Sequence, residues 1–157
     1  RLPRMVRLAI DVGSVRIGVA RSDPDGIMAL PITTLTQSEK AVEETLALVD
    51  DVEATVVYVG KPVNLKGEMT PSTELALAFA QDLYRRVQET RRTVEVRLID
   101  ERLSTVSAHA AMQQVGKSQR QSREVIDQAA AVIILEHALA SEKSAGHLAG
   151  TPVSGSP

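Results

Sequence analysis

Val6, Leu8 and Ile10 alternate with Arg7 and Ala9 and lead to Asp11, the period-two pattern of a strand with one face in a core. The alternation resumes at Val15, Ile17 and Val19 after Gly13-Ser14, a pair suited to a tight turn, and predicts an antiparallel hairpin. Asp23-Pro24-Asp25-Gly26 predicts a second turn, with Ile27 to Thr33 returning as a third strand. The period then changes. Thr36 and Glu39 have capping-box spacing, and Val42, Leu46 and Val49 follow at helical intervals. Val56 to Val59 is a continuous apolar run, as in a strand covered on both faces. Thr70-Pro71 opens a helix with Leu75, Phe79, Leu83 and Val87 along one side. Val94, Val96 and Leu98 predict another strand, ending at Asp100-Glu101. Ser104 or Thr105 caps a helix to about Gln114; a basic stretch from Lys117 to Arg123 then leads into a long apolar helix to about Ser141.

Three antiparallel strands followed by strand–helix alternation predict an α/β fold. Its sheet is mixed and five-stranded, the last two strands parallel, with helices on both faces. One domain is expected over residues 1–143, and residues 144–157, rich in Gly, Ser and Pro, read as a disordered tail. A length of 157 residues fits that count. Composition narrows the setting: there is no cysteine, which excludes disulfides and thiolate metal sites and points to the reducing cytoplasm. No apolar run approaches a membrane span, and the first ten residues do not read as a signal peptide. A net charge of -2 does not suggest tight, nonspecific nucleic-acid binding, and 2% aromatic residues argue against a surface that stacks successive bases. A nucleic-acid partner would be held by its backbone and shape, on locally concentrated positive charge.

Three carboxylates carry the candidate chemistry. Asp11 ends an apolar strand just before Gly13, where a missing side chain lets a ligand approach; the alternative is a turn aspartate bonded to local amides. Glu101 follows another strand, and its alternative is a surface ion pair with Arg102. Asp127 shares a helical stripe with Ala130, Ala131, Ile134 and Ala138. A lone carboxylate there costs several kcal/mol, so it is bonded to a basic side chain or a helix end, or shares a cation with other acids. Oxygen ligands without cysteine suit Mg²⁺ or Mn²⁺ rather than zinc. His109, His137 and His147 lack the spacing of a metal motif.

Four blocks resemble the YqgF/RuvX family of Holliday-junction resolvases and pre-16S rRNA nucleases. They are Asp11-Val12-Gly13-Ser14-Val15-Arg16-Ile17-Gly18-Val19-Ala20, Val59 to Gly67, Asp100-Glu101-Arg102-Leu103-Ser104-Thr105, and Val125-Ile126-Asp127 with Ala131 to Glu136. They occur in family order and span about Leu8 to Leu139. The resemblance implies an RNase H-like fold and a metal-dependent endonuclease acting on structured RNA or branched DNA. Asp11, Glu101 and Asp127 would be its catalytic residues, holding two Mg²⁺ or Mn²⁺ ions. Gly13, Ser14, Arg16, Arg102, Lys117, Arg120 and Arg123 are the expected contacts to the nucleic-acid backbone. Lys61 and Lys66 depart from the family pattern and make their loop more basic. Glu124 stands where some related resolvases carry another acid.

Two other readings compete. A DxGxxxxG segment also serves ATP phosphate in actin–sugar kinases, but that architecture needs two such domains around a cleft. The alternative function is a catalytically silent module of the same fold that binds nucleic acid or a ribosome-assembly partner. A junction-cutting role would favour a homodimer, since two strands must be cut symmetrically.

Overall fold

The computed structural model describes residues 2–101 and 119–154, the side chains of 119–125 excepted. The hairpin strands are β1 (Val6–Val12) and β2 (Arg16–Ser22), followed by β3 (Ala29–Thr36). Helix α1 (Ala41–Val52), strand β4 (Ala54–Lys61), helix α2 (Pro71–Glu89) and strand β5 (Glu95–Asp100) come next. Helix α3 (Gln119–Ala145) and strand β6 (Thr151–Pro152) complete the described elements. The helix expected from Ser104 or Thr105 lies outside the described residues, as do Arg102 and Lys117.

The sheet runs β3-β2-β1-β4-β5-β6. As expected, β1, β2 and β3 pair antiparallel, while β4 lies parallel to both β1 and β5. Period two sorts the strand residues between two helical layers. Leu8, Ile10, Val12, Ile17, Val19, Val57, Val59 and Val96 face one way and pack with Leu46 and Val49 of α1 and Phe79, Leu83 and Val87 of α2. Ala9, Ala20, Val56 and Tyr58 face the other way, against Ala131, Ile134, Leu135, Ala138 and Leu139 of α3. Each fully buried Leu, Ile or Val contributes about 1.5–3 kcal/mol. Small residues on the α3 side of the sheet let that helix lie close.

Local expectations fared unevenly. Thr70 caps α2 with Pro71 in its first turn, and its hydroxyl accepts from the Thr73 amide at 3.3 Å. The capping box expected at Thr36 and Glu39 does not form. Thr36 instead pairs with Arg16 at the end of β3, and α1 begins after Lys40 with no side-chain cap. Backbone pairing across the hairpin outweighs the local capping signal.

The expected strand count of five is corrected to six, because Thr151–Pro152 in the expected tail pairs antiparallel with Arg97 and Leu98 of β5. The polar composition of residues 144–157 hid this. Arg97 donates to the carbonyls of Ala149 (2.6 Å) and Gly150 (3.0 Å), the Ala149 amide donates to the Tyr58 hydroxyl, and Val153 is buried. A few specific bonds therefore hold a segment whose composition predicts none.

A buried charge network sits at the start of β1. Arg7 donates to Glu142 through Nε (3.2 Å) and Nη2 (2.7 Å), and Tyr58 donates its hydroxyl to the same carboxylate at 2.5 Å. Burial and that carboxylate push the Tyr58 phenol well above its ordinary pKa. Its three members come from β1, β4 and α3, so the network fixes the C-terminal part of the helix on the sheet.

Candidate active site

Alternation along β1 sends Asp11 to the α3 side of the sheet, where it lies opposite Gly18 of β2. A Cβ on Gly18 would sit 2.0 Å from the backbone oxygen of Asp127, so the α3 backbone rests directly on this glycine. That contact brings Asp127 to Asp11. On the other side of β1, Gly60 near the end of β4 makes room for Glu101: a Cβ there would lie 2.4 Å from Glu101 Oε2 and 2.7 Å from Ile134 Cδ1. The Glu101 amide donates to the Lys61 carbonyl, and its side chain is buried. Glu101 and Asp127 thus each lie near Asp11, beside the C-terminal ends of parallel strands β1, β4 and β5.

Their electrostatics follow from that crowding. Burial, and then the charge of Asp127, push the Asp11 carboxyl up to about 6. Burial, followed by the charges of Asp11 and Asp100, pushes Glu101 up to about 8. Near neutral pH the Asp11–Glu101 pair therefore holds on to a proton. A divalent cation would supply the positive charge the proton now provides. This oxygen-only donor set fits Mg²⁺ or Mn²⁺, with Asp11 and Glu101 as the residues that would hold it. Among the described residues no three such groups close around a common point. Asp127 is turned toward Arg16, whose Nε donates to its Oδ2 at 3.0 Å.

The hairpin beside the acids is tightly built. The Gly13 amide donates to the Arg16 carbonyl at 2.9 Å, and Gln37 Nε2 donates to the Gly13 carbonyl at 3.0 Å. Gly13 is among the expected contacts to the nucleic-acid backbone; in this conformation its amide is engaged inside the turn, and a Cβ would lie 2.5 Å from the Arg16 oxygen. Ser14 is exposed at the tip. Gln128 donates to Thr34 at 3.0 Å and ties α3 to β3 next to Asp127. The backbone of Arg120, Arg123 and Glu124 belongs to α3, but their side chains lie outside the described residues.

Sequence reading missed the roles of Gly18 and Gly60. The available signal was a glycine inside a strand pattern, which marks close approach of another backbone or ligand.

The RuvX family profile, described as Holliday junction resolvase, matches residues 5–141. A protein of Clavibacter michiganensis subsp. michiganensis named "Putative pre-16S rRNA nuclease" is 45% identical over 150 residues, 94% of this chain and 90% of that protein. A relative of the same name from Leifsonia xyli subsp. xyli is 47% identical over 150 residues, 94% of each chain. Among solved structures, RuvC from T. thermophilus in complex with a Holliday junction substrate superposes with a TM-score of 0.56. That likeness has 17% identity, covers 95% of this chain and 99% of RuvC, and shows the shared RNase H-like fold. With residues 5–141 matched by the family profile and relatives 45–47% identical over nearly the whole chain, the protein belongs to the RuvX family.

Proposed function

We propose that this chain is a divalent-metal-dependent endonuclease that hydrolyses phosphodiester bonds of structured RNA, trimming the precursor of 16S ribosomal RNA in the cytoplasm. One observation carries the reading: Asp11 and Glu101 lie together at one sheet edge with both carboxyls raised, and Asp127 stands beside Asp11. Such a cluster destabilises the metal-free state and gives a divalent cation a place where charge is missing. No helix among the described residues is long and apolar enough to cross a membrane.

Asp11 and Glu101 would hold Mg²⁺ or Mn²⁺, with Asp127 as a further ligand, in a site suited to two ions. A divalent cation held by these acids would supply Lewis-acid chemistry, activating water and offsetting charge on the phosphate. Helix α3 and the surrounding apolar residues limit water around the acids, which strengthens their grip on cations. Arg16 at the hairpin base, with Arg102, Lys117, Arg120 and Arg123, would hold phosphates flanking the cleaved bond. The exposed Ser14 offers a further contact at the hairpin tip.

The RNA reading rests on relatives of 43–47% identity bearing the rRNA nuclease name. A second reading, cleavage of four-way DNA junctions by a homodimer, is favoured by the family description and by the RuvC likeness. Cleavage of a pre-16S rRNA fragment and of a four-way junction, side by side with Mn²⁺ or chelator, decides between them. Faster metal-dependent RNA cleavage by a monomeric species is expected. Symmetric junction cutting by a dimer replaces the first reading with the second; intact substrates of both kinds in Mn²⁺ leave a binding module.

A further inference from the structure

Among the described residues, two carboxylate–arginine pairs involve α3, and they differ in a way that bears on the site. Arg7 and Glu142 are buried, with side chains 4% and 5% exposed, and Arg7 makes further bonds to the Met5 carbonyl and, through its amide, to Ser22. Arg16 and Asp127 are 31% and 22% exposed. The contact from Arg16 Nε is the single side-chain bond Arg16 makes among the described residues. The first pair is locked by several bonds, whereas the second is held by one at the mouth of the acid cluster.

We infer that Arg16 is the exchangeable counter-ion of Asp127: it neutralises that carboxylate in the metal-free protein, is displaced when a divalent cation reaches the acids, and then takes a phosphate of the nucleic acid. This rests on the reading of the acids as a metal site. A guanidinium and a divalent ion compete for the same Oδ2, and a doubly charged ion near Asp11 repels Arg16 while it attracts Asp127. The planar guanidinium, once released, matches a phosphate through two parallel N–H donors. Arg16 starts β2, with the hairpin held by Gln37, so its backbone need not move. The side chain alone carries the exchange.

Two measurements on the full chain test this. Calorimetric titration of the chelator-stripped protein with MnCl₂ is expected to show about 3- to 10-fold tighter binding in Arg16→Gln, because a competitor worth one exposed ion pair is gone. The same variant should cleave RNA more slowly, so affinity for metal and activity move in opposite directions. In the wild type, the ¹⁵N resonance of Arg16 Nε should shift on saturation with MgCl₂, a readout that needs no variant to fold. Unchanged or weaker Mn²⁺ binding in Arg16→Gln, or an Arg16 resonance that ignores saturating Mg²⁺, overturns the exchange while leaving the metal site standing. Absence of Mn²⁺ uptake by the wild type overturns the metal site, and the exchange with it.

Discussion

Glu101→Gln should make the metal-free protein more stable and inactive at once. Glu101 is 4% exposed, and its carboxyl is raised from an ordinary 4.5 to about 8 by burial and by Asp11. A folded pKa above the unfolded one means that the folded state binds more protons between those values. Stability from this group is therefore complete below about pH 4.5 and is lost as pH climbs toward 8. At about 1.4 kcal/mol per unit the full shift would correspond to about 5 kcal/mol at pH 8, an upper bound. Asp11 shares the same proton, so about 1–3 kcal/mol is the reasonable share recovered when the acid becomes an amide. For a domain of this size that raises Tm by about 3–10 °C. Thermal unfolding in EDTA at pH 8 and at pH 4.5 measures it: the gain should be present at pH 8 and nearly absent at pH 4.5. In Mg²⁺ the order should narrow or reverse, because the wild type then has a ligand to bind and the variant has lost one. A variant no more stable than wild type in EDTA at pH 8, or a gain independent of pH, would refute the electrostatic account of this edge.

Four further outcomes follow from the same geometry. Asp11→Asn should abolish Mg²⁺-dependent cleavage with the circular dichroism spectrum unchanged; full activity in that variant removes Asp11 from the site. Gly18→Ala places a methyl 2.0 Å from the Asp127 carbonyl, so α3 must shift at a cost of about 1–3 kcal/mol, and cleavage should fall more than about tenfold; a fully active, equally stable variant would contradict the close packing. Mn²⁺ uptake at pH 7 should release protons, since it favours the ionised form of Glu101, and titration in buffers of different ionisation enthalpy counts them; zero release would mean the cation binds elsewhere. Glu142→Gln leaves Arg7 buried without its carboxylate and should cost about 3–5 kcal/mol, lowering Tm by roughly 10 °C in a melt monitored at any pH near neutrality.

Much of the architecture was legible because it depends on periodicity. The alternation of Val6, Leu8 and Ile10 and of Ile17 and Val19 marked the hairpin strands, although both of their faces are covered and Val15 is exposed, and Thr70-Pro71 combines a cap with a proline that needs no amide partner. Asp127 was legible for a related reason, because it breaks an apolar stripe where an unpaired charge is expensive, whereas Asp11 and Glu101 stood out as acids at strand ends and through the family resemblance. What escaped depends on contacts between distant segments. Thr36 satisfies a capping pattern and a β-pairing equally well, and β2 decides between them. Arg7 alternates with core residues as any solvent-facing residue would, and Glu142 ends an apolar stripe as any surface residue would. Only α3 lying across β1 turns both inward. Asp127 lay between the two cases. Its position announced a compensating partner, and both expected partners are relevant, a basic side chain in the metal-free state and a cation at the acids in the proposed one.

Helix α3 carries Asp127 in its first third and Glu142 near its C-terminal end, about 22 Å apart along its axis. The Glu142 end is bound through Arg7 and Tyr58, with no exposed group to exchange, so its geometry persists as long as the domain is folded. Asp127 itself rests on Gly18 through backbone contact, and among the described side chains Arg16 bonds its carboxylate while Gln128 bonds Thr34. The partly exposed Arg16–Asp127 pair can therefore rearrange without disturbing the buried network around Glu142. Sites this far apart with no shared partner should act additively. Combining Glu142→Gln with Arg16→Gln should therefore lower Tm by the sum of the single effects, while Mn²⁺ affinity follows Arg16→Gln alone. A Glu142 substitution that by itself changed Mn²⁺ affinity severalfold would show that the buried network sets the position of Asp127, and that the two ends of the helix move as one.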